Sequence, residues 1–327
     1  MEMSLALNVC GDKVWWDRFV SESPQGNIFC RMAFLEALGE DFDLLVVEEN
    51  GRSQLGAVVR KCKVEPDGAL HPAAMYRGVM FDCSYAEIPV HSRVKETLRV
   101  VEFLLVDLER RYERISFCLH PRFEDLRGFS WFHYHEPQLG QYKLDLRYTG
   151  LVNLAAAADF ESYLGTIRTT RRYEYRRAIA QGLTVEVSHD IATLDHLHRL
   201  TFERQGLQRT VGEIRLVRSI GAAALSHGFG EVLICRTAAG EAASATLFLY
   251  DERCGYYLVG ANDPAHRNSN SGTFLFLENV RRCRERGLKW IDVCGINSPN
   301  RGDFKTSFNA VPVPYFVVDW ERPGHLP

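Results

Sequence analysis

Apolar positions along this chain alternate between two periods, short continuous runs and stretches repeating every three to four residues. Asp43-Leu44-Leu45-Val46-Val47 reads as a strand and Leu55-Gly56-Ala57-Val58-Val59 as its return. Asn50-Gly51 between them supplies the positive φ angles of a tight hairpin. Val94, Leu98, Val101, Leu105, Leu108 and Tyr112 then recur at helical spacing and give one apolar face. Arg110, Arg111 and Arg114 gather at the end of that helix, where cations suit the dipole, and Ile115-Ser116-Phe117-Cys118-Leu119 follows as a strand.

The second half repeats the order. Glu231-Val232-Leu233-Ile234-Cys235 is a strand, Ala239-Gly240 a turn, and Ala245-Thr246-Leu247-Phe248-Leu249-Tyr250 the return. Tyr256-Tyr257-Leu258-Val259-Gly260 predicts a third strand. A helix from about Gly272 to Arg286 carries Phe276, Val280 and Cys283 on one face, ends in Arg281, Arg282, Arg284 and Arg286, and stops at Gly287. Lys289-Trp290-Ile291-Asp292-Val293-Cys294 predicts the next strand. Hairpin, long helix with an arginine-rich end, and strand thus occur twice, which predicts a duplicated domain; two copies are too few for a solenoid. The expected joint lies near Tyr148-Thr149-Gly150, giving domains 1–150 and 151–327, with the last ten or so residues packing back on the first. The stretch from Asp159 to Gln181 reads as a helical entry into the second domain. No low-complexity linker separates the halves, so close packing is expected.

Composition narrows the class. The 327 residues are 46% hydrophobic and 25% charged, with a formal charge of −3, which excludes a globally basic nucleic-acid binder. No apolar run approaches the roughly 20 residues a membrane span needs. Met1-Glu2-Met3-Ser4-Leu5 lacks the basic start and apolar core of a signal peptide. The nine cysteines are scattered and odd in number, which predicts reduced thiols in a cytoplasmic protein.

Three constellations could carry chemistry. Arg267-Asn268-Ser269-Asn270-Ser271-Gly272 lies between a strand and a helix, where backbone N–H groups and the helix dipole can hold a pyrophosphate. It is similar to the Gln/Arg-x-x-Gly-x-Gly/Ala loop with which GNAT acetyltransferases hold coenzyme A. Arg267 and Gly272 fit that pattern, and Asn270 stands in place of its first glycine. A polar loop with an ordinary helix cap reads equally well. The second is an arginine run. If the run over residues 164–182 is helical, Arg168, Arg172 and Arg176 stack at i, i+4 and i+8, suited to phosphates; the alternative is a solvated helix face. The third is Phe304-Lys305-Thr306-Ser307-Phe308 after the turn-rich loop Asn297-Ser298-Pro299-Asn300-Arg301. An ammonium held between two buried aromatics near the sheet's end can stabilise an oxyanion or a phosphate; by composition alone, a surface lysine at a strand start is the plainer reading.

Other chemistries are weaker. His133-Tyr134-His135-Glu136 and His196-Leu197-His198 lack a matching ligand pair at zinc-like spacing, so no metal is expected. Cys283 and Cys294 read as packing residues, and there is no Gly-x-Ser-x-Gly elbow, P-loop or Rossmann fingerprint.

In order and spacing, these segments resemble the FemAB family. The arginine helix ending in Ala178-Ile179-Ala180-Gln181-Gly182, then Gly260-Ala261-Asn262-Asp263, the long helix, Gly287, an aspartate-bearing strand and Phe304-Lys305-x-x-Phe308 carry the resemblance. Asn27-Ile28-Phe29-Cys30-Arg31-Met32-Ala33-Phe34-Leu35-Glu36-Ala37 is similar to the family's opening segment. The resemblance implies an α/β (α+β) fold of two tandem GNAT-like domains, each a mixed twisted β-sheet flanked by helices. It implies an acyltransferase that joins an acyl or aminoacyl group to a small-molecule or peptide amine. Peptidoglycan-bridge members take the group from aminoacyl-tRNA, and others use acyl-CoA, in each case as co-substrate with no tightly bound cofactor. A non-catalytic scaffold of a biosynthetic complex is the alternative from another class.

Carried over, Lys305 is expected at the reaction centre and Arg168, Arg172 and Arg176, with Arg267, Asn270 and Gly272, at the donor's phosphates. Tyr257, Asn262 and Phe304 are expected on the substrate side, and Asp292, or the substrate's own phosphate, as proton acceptor. The chain departs from the family in Asn309-Ala310, where glycines often follow Phe308, and it lacks the long helical arm of some bridge-forming members. The first bears on the local backbone path, and the resemblance implies the fold more firmly than a lipid-linked murein acceptor.

Overall fold

The computed structural model describes residues 4–61 and 75–324. They divide into two units, one running up to Arg147 and resuming at Pro314, the other spanning Tyr148–Val313.

The first unit begins with β1 (Leu5–Val9), α1 (Lys13–Glu22) and α2 (Met32–Leu38). The hairpin follows as β2 (Phe42–Glu49) and β3 (Arg52–Arg60), turning at Asn50 and Gly51 with φ of 51° and 74°. With β4 (Val79–Phe81) these strands form an antiparallel sheet in the order β1-β2-β3-β4. Helix α3 (Val90–Arg111) buries Val100, Val101, Leu104, Leu105 and Leu108, whereas Val94, expected on that face, is 39% exposed. Arg110 and Arg111 sit in its last turn as anticipated. After β5 (Arg114–Cys118) and the single-turn α4 (Arg127–Ser130), β6 (Lys143–Asn153) carries the chain into the second unit. The C-terminal strand β12 (Val311–Glu321) returns to the first unit, where Val317–Glu321 pairs antiparallel with β5. Leu45, Val47, Leu55, Leu104, Leu105, Phe117 and Phe129 anchor this unit's core, all fully buried.

In the second unit the helical entry is broken. Helix α5 (Phe160–Thr166) ends where Ile167, extended at φ −83° and ψ 163°, turns into the core, and α6 (Thr169–Ala180) begins after it. Arg168 is the N-cap of α6, at ψ 134°, so it does not stack one turn below Arg172. Burial of Ile167 and the bond from the Arg168 N–H to the Ser307 carbonyl (3.0 Å) set this corner.

Strand β7 (Thr184–Ser188) and helices α7 (Ile191–Glu203), α8 (Val211–Arg215) and α9 (Gly221–His227) follow, with a π-helical turn over Leu216–Ile220. Then come β8 (Gly230–Arg236), β9 (Ala242–Tyr250), β10 (Cys254–Asn262), α10 (Ser271–Glu285), β11 (Trp290–Asp292) and α11 (Pro299–Thr306). Helix α10 stops as its sequence requires. Gly287 takes φ 75°, its N–H donates to the Arg284 carbonyl, and the Leu288 N–H to that of Cys283, a Schellman closure.

The strands of this unit run in the order β6-β11-β10-β9-β8-β7, antiparallel throughout except for β10 with β11. Each unit thus repeats strand, helices, hairpin, third strand, long helix and strand. The long helix packs its apolar face on the sheet; in α10 that face includes Leu275, Phe276, Leu277, Val280 and Cys283, all 0% exposed.

Candidate active site

The site grows from an irregularity in the second unit's sheet. Parallel pairing between β10 and β11 covers only Cys254–Tyr256 against Trp290–Asp292, although β10 continues to Asn262. Beyond Asp292 the chain stays with β6 instead: the Val293 N–H donates to the Gly150 carbonyl and the Ile296 N–H to that of Tyr148, each 3.0 Å. A bulge at Leu258, between the Tyr257–Phe248 and Val259–Leu247 pairs, turns the end of β10 at the same level. The two strands therefore splay beyond Tyr256 and Asp292. The sequence predicted a longer β11, over residues 289–294; left-handed Cys294 (φ 54°) and Gly295 (φ 87°) end it early.

Two side chains close the widened end. Asp292, 2% exposed, accepts from Thr149 Oγ1 (2.5 Å) and from the Cys294 N–H (2.7 Å), and the Gly295 N–H donates to Thr149 Oγ1 (3.1 Å). This knot satisfies the backbone of the left-handed corner, where unpaired buried N–H groups would be costly. Lys305, 8% exposed, donates from Nζ to the carbonyls of Val293, Cys294 (3.1 Å) and Gly295 (3.0 Å). An ammonium has three protons, and three consecutive carbonyls take them. Lys305 stands on α11, not at a strand start; helix geometry lets it reach back over the loop while Phe308 buries beyond it.

An aromatic chain backs this clasp. The Lys305 ammonium lies 5.6 Å from the Tyr257 ring centre. Tyr257 packs edge-on to Phe276 (5.2 Å), Phe276 on Phe308 (4.2 Å), and Phe308 on Phe304 (5.1 Å). Arg171 caps the chain, its guanidinium 4.7 Å from the Phe304 centre, and donates to Ser307 Oγ (2.8 Å) and to Glu174 (2.6 Å). Thr273, in the first turns of α10, donates to the same Glu174 carboxylate (2.6 Å), which ties α6 to α10. Of the expected site residues, Lys305, Asp292, Tyr257 and Phe304 are therefore brought together.

A second group gathers at the start of α10. Asn270 takes the left-handed conformation (φ 64°, ψ 15°) that the missing glycine would have supplied, and it makes no side-chain cap to the helix. Its Nδ2 is buried without a hydrogen-bond partner. Gly272 faces the Asn262 carboxamide so closely that a Cβ there would lie 2.9 Å from Asn262 Oδ1. Arg267 is exposed on the preceding turn. The first turn of α10 carries no acidic residue of its own, and the Ser271 N–H donates to Ser269 Oγ (3.3 Å).

The arginines of α6 divide into two sets. Arg168 is held by Asp303 on α11 through two bonds of 3.0 and 2.8 Å. Arg172 reaches Thr169 Oγ1 (2.8 Å) and leaves its buried Nε unpaired, while Arg176 and Arg177 are exposed. Sequence reasoning missed Thr149, whose short polar side chain near the domain joint has no local signature. It also passed over Arg171, although Arg171 belongs to the arginine run it singled out.

Comparison with known proteins bears on the fold. Residues 166–306 match the profile of the family described as Acetyltransferase (GNAT) domain. The fold is similar to that of FemX (15% identity, 96% of this chain and 97% of that one, TM-score 0.69). It is also similar to a tandem GNAT protein from the clavulanic acid biosynthesis pathway (13% identity, 100% of both chains, TM-score 0.55). A third similar structure is L-PGS from Bacillus licheniformis (14% identity, 96% and 93%, TM-score 0.54). A sequence search of curated proteins returns no match. Residues 166–306 therefore carry a GNAT-type acyltransferase domain. The whole chain has a fold similar to that of FemX and of the tandem GNAT protein. Among the described residues no helix is long and apolar enough to cross a membrane.

Proposed function

We propose that the enzyme forms an amide by moving an aminoacyl group from aminoacyl-tRNA to a small-molecule or peptide amine. The observation that carries this reading is the arginine run of α6, where Arg172 and Arg176 lie four residues apart on one face and Arg176 and Arg177 are exposed. Guanidinium groups that keep free N–H donors attract a phosphate backbone. Either donor requires a cytoplasmic location, and we assign the chain there.

The reaction needs no covalent enzyme intermediate. A neutral amine attacks the ester carbonyl from within about 3–3.5 Å, the tetrahedral oxyanion collapses, and the tRNA hydroxyl leaves. We assign the reaction centre to the splay between β10 and β11. There the Lys305 charge favours the developing oxyanion, and Tyr257, Asn262 and Phe304 shape the substrate side. Asp292, or a phosphate of the substrate, takes the proton that the amine loses.

A second reading, with acyl-CoA as donor, rests on the loop before α10. Left-handed Asn270, with its unpaired buried Nδ2, and the helix dipole suit a pyrophosphate, with Arg267 and Gly272 on the same segment. Calorimetry with acetyl-CoA and longer acyl-CoAs, run beside turnover assays with charged tRNA, separates the two. The leading reading expects turnover from charged tRNA, abolished by ribonuclease. Substituting both Arg172→Ala and Arg176→Ala should weaken tRNA binding about tenfold and flatten its salt dependence. An acyl-CoA dissociation constant near 1 μM, roughly −8 kcal/mol, with no turnover from charged tRNA, would hand the assignment to acyl-CoA.

A further inference from the structure

Helix α7 carries a second concentration of charge that the acyl-transfer reading does not use. A cavity of about 400 Å³ opens on its outer face. Asp195, His196, Arg199, Arg209 and Arg218 line it, with Ile191 and Ala192 as an apolar edge. Asp195 and Arg199 are four residues apart, so one face of α7 presents both.

Asp195 organises the cavity floor. It is 9% exposed, and its Oδ1 accepts from Arg209 (2.6 Å) while Oδ2 accepts from Arg218 Nη2 (2.7 Å) and Nε (3.1 Å). Burial would raise its pKa, but the hydrogen bonds and charges of Arg218 and Arg209 outweigh burial and lower it, so the carboxylate stays ionised. Arg209 is itself buried, whereas Arg218 has 62% of its side chain exposed. On the next turn of α7, Arg199 pairs with Glu203 and also lies 3.2 Å from His196 Nδ1.

Arg218 reaches this floor from an irregular element. It lies in the π-helical turn Leu216–Ile220, where Leu216, Val217 and Ile220 are all buried. A π turn adds a residue to the helical repeat and recurs at functional sites. Here the three apolar residues keep their core packing while Arg218 is presented to Asp195.

One guanidinium would neutralise Asp195. Arg209 and Arg218 both bind it, which leaves one positive charge over, and Arg199, paired with Glu203, borders the same cavity from α7. We propose that this cavity binds a phosphate group, as the anionic handle of a small phosphorylated molecule. A carboxylate is planar and is satisfied by one arginine fork, whereas donors arriving from three separate elements match a group with three oxygens. The volume exceeds that of phosphate alone and lies in the lower part of the range for small-ligand pockets.

The test is calorimetric titration of the full-length protein with inorganic phosphate and pyrophosphate, with succinate as the carboxylate control, at constant ionic strength. Arg199→Ala and Arg218→Ala change exposed side chains and leave the Asp195–Arg209 pair intact; circular dichroism verifies their fold. Arg172→Ala with Arg176→Ala controls for phosphate taken up on α6. The expected result is phosphate or pyrophosphate binding at about 1 mM or tighter, weakened about tenfold by either pocket variant and unchanged by the α6 control. No heat from either phosphate, equal binding in both pocket variants, loss only in the α6 control, or tighter binding of succinate would each overturn the proposal.

Discussion

Replacing Lys305 with methionine keeps the length of the side chain and removes the ammonium that holds three carbonyls of the 293–295 corner. Hydrogen bonds from a charged donor contribute about 1.5–3 kcal/mol each, but three on one centre do not add, and burying the ammonium offsets part of the gain. A net loss of about 3 kcal/mol is expected for Lys305→Met. In a domain of this size that corresponds to a fall in Tm of about 6–12 °C. The same change should speed hydrogen exchange at the Cys294, Gly295 and Ile296 amides, because the clasp and the Thr149–Asp292 knot stabilise one corner. Lys305→Arg should recover only part of the loss, since a planar fork cannot satisfy three consecutive carbonyls as a compact ammonium does. Urea unfolding, amide exchange and turnover are to be measured on the same preparations. If Lys305→Met unfolds within about 0.5 kcal/mol of wild type, with unchanged exchange at the corner and turnover abolished, the clasp is incidental and Lys305 acts on substrate alone.

Two further expectations follow from buried contacts. His198 is 7% exposed, and burial, with the Arg209 charge adding, lowers its pKa from 6.5 to about 4. Below pH 6.5 the unfolded chain takes up a proton that the native chain refuses, so stability falls with pH until about pH 4. The slope is about 1.4 kcal/mol per unit for a single group. Urea midpoints at pH 7.5 and pH 5 should therefore converge in His198→Gln, and an unchanged difference would sink the assignment. Gly260 lies under the Tyr257 hydroxyl, where a methyl group would overlap it. Gly260→Ala should displace Tyr257 from Phe276 and Lys305, costing about 1–3 kcal/mol and lowering turnover; a variant with wild-type melting and kinetics would show that Tyr257 is free to move.

Much of the architecture was legible because it is local. The Asn50-Gly51 hairpin, the apolar faces of α3 and α10 and the stop at Gly287 depend on contacts within a few residues, which composition and period encode directly. The left-handed corner at Asn270 was readable for the same reason, since asparagine tolerates that conformation. The arginine run was visible too, but its division was not. Arg168 leaves the helix because Ile167 fills a core position set by the rest of the second unit, and its charge goes to Asp303, 135 positions away.

The candidate site belongs mostly to the second category. Nothing near Asp292 in sequence announces Thr149, and nothing near Lys305 predicts that its protons go to the carbonyls of β11's continuation. Both arise because β10 and β11 part after three paired residues, and exposed backbone groups must then find partners from whichever element lies within reach. The same holds for Asp195, whose two arginines come from a loop and a π turn. The sequence by itself determined which segments were strands and helices, their order and its repetition, since these follow from local sterics and the period of apolar residues. Only the tertiary structure decided which polar side chains meet, because those meetings are set by where the sheet opens and which buried groups remain to be satisfied.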